Sequence, residues 1–262
     1  MERRFEGKTF MVTGAGTGFG AALSLRAAQE GAGKVIVHYR SSSDGAERTA
    51  EQVRDAGAEA LVVQGDITSW ADIQRMAAWA FQDGGGVDVL MNNVGDMASG
   101  QASWTEVTEE AIDHVLAVDI KGTMLMVHEF GQRMVQRGGG AIVNVGSIAG
   151  VRGSKGRVAY GASKGAVHTL TQVMAVDLAR FNIRVNAIAP GPVETPLVKA
   201  VHTPETRRGW LQTVPMRRYA TPEEMTGTVL FLLDPAQSGY LTGEIIAVDG
   251  GFRGAGMMPI EE

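Results

Sequence analysis

KTFMVTGAGTGFG, residues 8–20, is an apolar run that breaks into glycines and then leads into a helix-like segment at 18–31. It reads as strand, tight turn and helix. Six more apolar runs follow the same plan. They are KVIVHY (34–39), ALVVQGD (60–66), VDVLMNN (87–93), AIVNVGS (141–147), IRVNAIAP (183–190) and EIIAVDG (244–250). Helical patterns separate them near 44–57, 69–82, 105–137, 158–181 and 221–233. The runs are nearly continuous in apolar residues, as strands buried on both faces must be. Strands alternating with helices imply a parallel sheet with helices on both faces. The expectation is an α/β chain of a single domain over 1–262, a doubly wound Rossmann-type sheet of about seven strands. Ligands bind such a sheet at the carboxyl ends of its strands. The stretch 191–220 interrupts the rhythm with Pro192, Pro196, Pro204 and Pro215. It is expected to be an irregular insertion forming a lid over that site.

The composition narrows the class. The chain has 262 residues, 44% of them hydrophobic and 20% charged, enough for a sizeable core. A net charge of −5 leaves no basic footprint for nucleic acid. There is no cysteine, so disulfides and thiolate metal sites are excluded. MERRFEGKTF has charge but no apolar run behind it, and no stretch has the apolar length of a membrane span. A cytoplasmic protein with no membrane or nucleic-acid partner is expected. The 35 glycines are dispersed, marking strand and helix ends.

In TGAGTGFG (13–20), Gly14, Thr17, Gly18, Phe19 and Gly20 form a turn that opens a helix. Glycine permits positive φ and lets backbone N–H groups approach a pyrophosphate at a helix N-terminus. About twenty residues on, an acid usually meets the ribose of a cofactor lacking the 2′-phosphate. Here the second strand runs out as HYRSSSDG, giving Tyr39, Arg40 and Ser41. Arg40 and the hydroxyls suit a 2′-phosphate, which favours NADP(H) over NAD(H).

YGASK (160–164) puts Tyr160 and Lys164 on one helix face, a turn apart. A lysine cation beside a phenol favours the phenolate. Ser147 ends the fifth candidate strand, where a hydroxyl can bond a substrate oxygen.

Together these residues resemble the short-chain dehydrogenases/reductases along essentially the whole chain. The resemblance includes TGAGTGFG, Asp66, NNVG (92–95), Ser147, Tyr160 with Lys164, Pro190-Gly191 and VDGG (248–251). It implies that Tyr160 is the general acid or base and that Ser147 orients the reacting carbonyl or alcohol. It gives Lys164 the nicotinamide ribose and the tyrosine. Asp66 with Ile67 would meet the adenine, and Asn93, Gly95, Pro190, Val193 and Thr195 would line the cofactor. Val94 departs from the usual alanine.

Asp119 is the other departure. It falls on the apolar stripe of the 105–137 segment, and burying an ionised carboxylate is costly unless something pairs with it. In the family pattern Asn-x-x-Gly, here Asp119-Ile120-Lys121-Gly122, this position is a catalytic asparagine whose carbonyl helps hold a water and whose side chain supports a helix bend. Asp119 therefore joins Ser147, Tyr160 and Lys164 as a candidate catalytic residue. An Asn in its place is expected to be folded and at least as active.

Other features carry less. His38, His114, His128, His168 and His202 form no close metal-ligand pair and read as packing or surface residues, so no metal site is expected. Trp210 reads as either a loop anchor or a substrate contact, and Arg207 and Arg208 as lid cations that are either solvated or meet an anionic substrate. The segment 166–181 is apolar around most of its circumference and reads as a subunit contact. By resemblance the assembly is a homo-oligomer, commonly a tetramer. The expected activity is NADP(H)-dependent alcohol oxidation or carbonyl reduction on a small molecule. A 3-oxoacyl thioester reductase, a sugar or polyol dehydrogenase, and a regulatory protein with impaired catalysis are the competing readings.

Overall fold

In a computed structural model of the chain, residues 3–256 are described. The single-domain reading over 1–262 therefore extends at both ends outside the described residues. Seven parallel strands form one sheet: β1 (Thr9–Val12), β2 (Lys34–Tyr39), β3 (Glu59–Gln64), β4 (Val89–Asn92), β5 (Gly140–Val145), β6 (Ile183–Pro190) and β7 (Ile245–Val248). Their spatial order is β3-β2-β1-β4-β5-β6-β7. The order reverses between β1 and β4, which pair with Met11 beside Leu90. At such a switch point the connections leave in opposite directions and open a crevice.

Alternation along each strand divides the core into two layers. Phe10 and Val12, Val35 and Val37, and Val89 and Met91 pack on one face with α1 (Gly18–Gln29), α2 (Ser43–Asp55) and α9 (Pro222–Leu233). Met11, Ile36, Leu90 and Ile142 face the other way. They meet α3 (Trp70–Gln82), α5 (Thr123–Gln136) and α6 (Val158–Ala179). Both faces are covered, which is why the strand sequences show no polar alternation.

Two expectations change in detail. The 105–137 segment is not one helix. α4 (Glu109–Val115) begins where the Thr108 hydroxyl accepts from the Ala111 N–H at 3.2 Å. A π-helical segment, Leu116–Gly122, then joins it to α5. The insertion 191–220 is not irregular either. It holds α7 (Pro196–Val201) and α8 (Pro204–Thr213). Its prolines Pro196 and Pro204 start helices rather than break them, each following a threonine whose hydroxyl caps the first turn. α9 starts likewise at Thr221-Pro222, with a full capping box to Glu224. Two short elements have no counterpart in the sequence reading, a 3-10 turn at Ile148–Gly150 and α10 (Pro235–Ser238).

Candidate active site

The crevice is assembled from strand ends that polar side chains lock together. After β1, the Gly14 N–H donates to His38 Nδ1 at 3.1 Å, and His38 Nε2–H donates to the Gly65 carbonyl at 3.0 Å. One imidazole thus ties the ends of β1, β2 and β3. Burial pushes the His38 pKa down to about 4, so the ring is neutral, as this bonding requires. Asn93 performs the same service between β4 and β1. Its backbone N–H donates to Thr13 Oγ1 and its amide to the Thr13 carbonyl, both at 2.9 Å. Gly20 must be glycine, because a Cβ there would stand 2.6 Å from the Gly14 carbonyl and 2.7 Å from the Asn93 amide. Thr17, at the N-cap of α1, gives the helix no side-chain bond. The first N–H groups of α1 are therefore the open donors of this turn.

At the end of β2, Tyr39 is half-buried and Arg40 and Ser41 are exposed. Arg40 Nη1 lies 4.0 Å from Asp66 Oδ2. Burial works to raise the Asp66 pKa, but the Thr68 backbone and hydroxyl donors, both at 2.8 Å, and Arg40 hold it below the usual carboxylate range. Ile67 is buried next to it, against Gly122.

A cavity of about 180 Å³ gathers most of the remaining candidates. Phe19, Asn93 and Gly95 line one side and Pro190, Val193 and Thr195 another. Ser147, Tyr160 and Lys164 meet between them. Ser147 caps the 3-10 turn, its Oγ accepting from the Ala149 N–H at 3.1 Å, which leaves its O–H hydrogen for a ligand oxygen. Beneath it, His168 Nε2 accepts from the Ser147 N–H at 3.4 Å. Lys164 Nζ donates to the Val145 carbonyl at 3.2 Å and lies 5.6 Å from the centre of the Tyr160 ring.

Asp119 stands behind this group, wholly buried. Its Oδ2 accepts from the Ser163 hydroxyl at 2.6 Å and lies 3.5 Å from Lys164 Nζ, while Oδ1 accepts from the Asp96 N–H at 2.9 Å. The stripe position is thus explained by a buried ion pair whose carboxylate has all the donors it needs. Its backbone carbonyl accepts from the Thr123 hydroxyl at 2.7 Å, inside the π-helical stretch.

The candidate residues of the 191–220 insertion divide. Arg207 is taken up by Glu194 in a two-pronged pair at 2.9 and 2.8 Å, and Arg208 is exposed, so neither faces the cavity. Trp210 does line it and packs on Phe252 with ring centres 5.2 Å apart. Arg157 and His202 also line it, which the sequence reading missed for Arg157 and assigned to packing for His202. The available signal was spacing, since Arg157 precedes Tyr160 by about one helical turn. Among the described residues no group of His, Cys, Asp or Glu could hold a metal, and no helix is long and apolar enough to cross a membrane.

Comparison with known proteins identifies the family and the fold. A family model described as enoyl-(acyl carrier protein) reductase matches residues 14–253. A galactitol 2-dehydrogenase (L-tagatose-forming) of Cereibacter sphaeroides is 37% identical, covering 95% of this chain and 96% of its own length. Among solved structures, a 7α-hydroxysteroid dehydrogenase complexed with NADH and 7-oxo glycochenodeoxycholic acid superposes with a TM-score of 0.89 at 32% identity, covering 95% of this chain and 96% of that one. A gluconate 5-dehydrogenase from Burkholderia cenocepacia, in complex with NADP and tartrate, gives 0.90 at 28%, covering 97% and 98%. The chain belongs to the short-chain dehydrogenases/reductases, oxidoreductases that pass a hydride between a nicotinamide cofactor and an alcohol or carbonyl carbon.

Proposed function

We propose that the protein is an NADP(H)-dependent alcohol dehydrogenase or carbonyl reductase acting on a small substrate held between Ser147 and Tyr160. The observation that carries this reading is the single cavity lined by Ser147, Tyr160 and Lys164 together with the residues of the glycine turn's side. The fit to a nicotinamide dinucleotide rests on the open N–H groups of α1 and on Arg40, whose exposed guanidinium at the end of β2 suits a 2′-phosphate. When bound, the nicotinamide supplies the carbon that gives or takes the hydride. Ser147 donates to the substrate oxygen and fixes its position. Tyr160 gives that oxygen a proton in reduction and takes one in oxidation. Lys164 holds its charge near the Tyr160 ring, and Asp119 anchors Lys164 from behind. Val193 and Thr195, from the loop after β6, would close over the cofactor, and α7 and α8 would form the lid.

An open apolar groove beside Met124, Leu125, Met174 and Phe181, together with the exposed Val173 and Val176 of α6, supports assembly into a homo-oligomer. Sedimentation of the purified protein tests this. The activity is tested by NADPH oxidation against a panel of ketones, oxoacyl thioesters and ketoses, with NADH in parallel. Turnover of a ketone or ketose with NADPH preferred supports the reading. Tight NADPH binding with no turnover of any class, in either direction, overturns it in favour of a regulatory protein.

A further inference from the structure

Two cations stand in the wall of the candidate active-site cavity, and only one has a counter-ion. Lys164 pairs with Asp119. Arg157, at the N-cap of α6, has no carboxylate within ion-pair distance among the described residues. Its guanidinium carbon lies 5.7 Å from the centre of the Tyr160 ring. Its Nη2 donates to His202 Nε2 at 3.2 Å. Because that nitrogen accepts, the ring proton of His202 sits on Nδ1 and points at the Tyr219 hydroxyl, 2.9 Å away. Burial, Arg157 and Arg207 push the His202 pKa down to about 4, so the imidazole is neutral and orients Arg157 without balancing its charge. Glu194, in the loop after β6, is committed to Arg207. Arg157 also lines a groove outside the cavity together with Glu106 and Glu205, and neither acid forms an ion pair with it.

Burial works against the charge of Arg157 and lowers its pKa, a cost that a protein ordinarily offsets with an acid. A guanidinium has five N–H donors in a fork that matches a carboxylate, and only one of them is spent on His202. We infer that Arg157 is the substrate's anion site: the protein takes a small hydroxy or oxo carboxylate whose acid group lies within a few bonds of the reacting carbon. The short span from Arg157 to Tyr160 sets that spacing. The inference rests on the proposed hydride-transfer function and adds the substrate class to it.

The test compares short 2-oxo and 3-oxo acids with their methyl esters, using NADPH and the native chain. The acids are expected to exceed the esters in kcat/KM by on the order of 10- to 100-fold, the span of one charge-assisted contact. Arg157→Ala should collapse that acid-to-ester ratio toward unity, mainly through KM, and Arg157→Lys should restore part of it. A ratio that favours esters in the native chain, or that is unchanged in Arg157→Ala while both activities fall together, overturns the inference and leaves Arg157 as a structural partner of Tyr160. A second arm needs no turnover: thermal stabilisation of the NADPH-bound protein by acetoacetate but not by methyl acetoacetate, lost in Arg157→Ala. If the acid stabilises without being reduced, the anion site stands and the hydride-transfer reading falls. If it does not stabilise, the anion site falls whatever the activity.

Discussion

Replacing Tyr160 by Phe removes one oxygen from a ring that sits between Arg157 and Lys164, and leaves its packing. The variant should bind NADPH as the parent does and lose nearly all turnover, by steady-state kinetics beside a cofactor titration. Arg40→Ala should weaken NADPH on the order of 10- to 100-fold and NADH far less, because only the 2′-phosphate uses the guanidinium. Equal losses in fluorescence titrations would remove Arg40 as the phosphate ligand. Asp119 carries two opposed expectations for one substitution. Read from its motif, an Asn restores a familiar amide. In the structure the carboxylate faces Lys164, which is 3% exposed, and accepts from Ser163 and Asp96. Asp119→Asn leaves that lysine a buried cation without a counter-ion, so a stability loss of about 3 kcal/mol is expected in urea unfolding. Turnover should fall with it, and unchanged stability would show that Lys164 does not depend on the pair.

The elements were legible where local chemistry decides them. Strand runs, the glycine turn and the Tyr160–Lys164 face all follow from period, φ and helical spacing, and they lie where the sequence puts them. The 191–220 insertion was not legible as helices, because Pro196 and Pro204 signal either a break or a first turn. Only the bond from each preceding threonine tells which. The π-helical turn was hidden as well, since a widened turn has no composition of its own. It is fixed by what it touches: a Cβ on Gly122 would stand 2.9 Å from Ile67 Cδ1 and 3.1 Å from the Ile67 carbonyl. Gly122→Ala must push α5 away from the loop after β3. A loss of about 1–3 kcal/mol is expected, together with weaker cofactor binding if Ile67 meets the adenine. Calorimetry with and without NADPH separates the two effects.

At the scale of the whole molecule, His38 makes stability depend on acid. Its folded pKa, about 4, lies below the usual value of 6.5, so the unfolded chain takes the proton first. Asp66 and Asp72 pull the other way but do not overcome burial. The contribution is complete above about pH 6.5 and drains away as pH falls toward 4, to the extent of about 3 kcal/mol. His202 shifts in the same sense and steepens the loss. Urea unfolding across this range should show stability falling with pH, and a His38→Gln variant should be weaker overall with a flatter dependence. The bond from Arg157 to His202 and the pairing of Asp119 belong to this scale too, because each joins residues more than forty positions apart that no local pattern connects.

The strand order has a further consequence. β1 is flanked by β2 and β4, and β4 is made only after β2, β3 and their helices. During synthesis the first three strands can assemble while β1 still presents a bare edge of Phe10, Met11 and Val12. Such a seam invites pairing with the same seam on a neighbouring nascent chain. That edge is covered only once the chain has been made through Asn92 and β4 has docked beside β1.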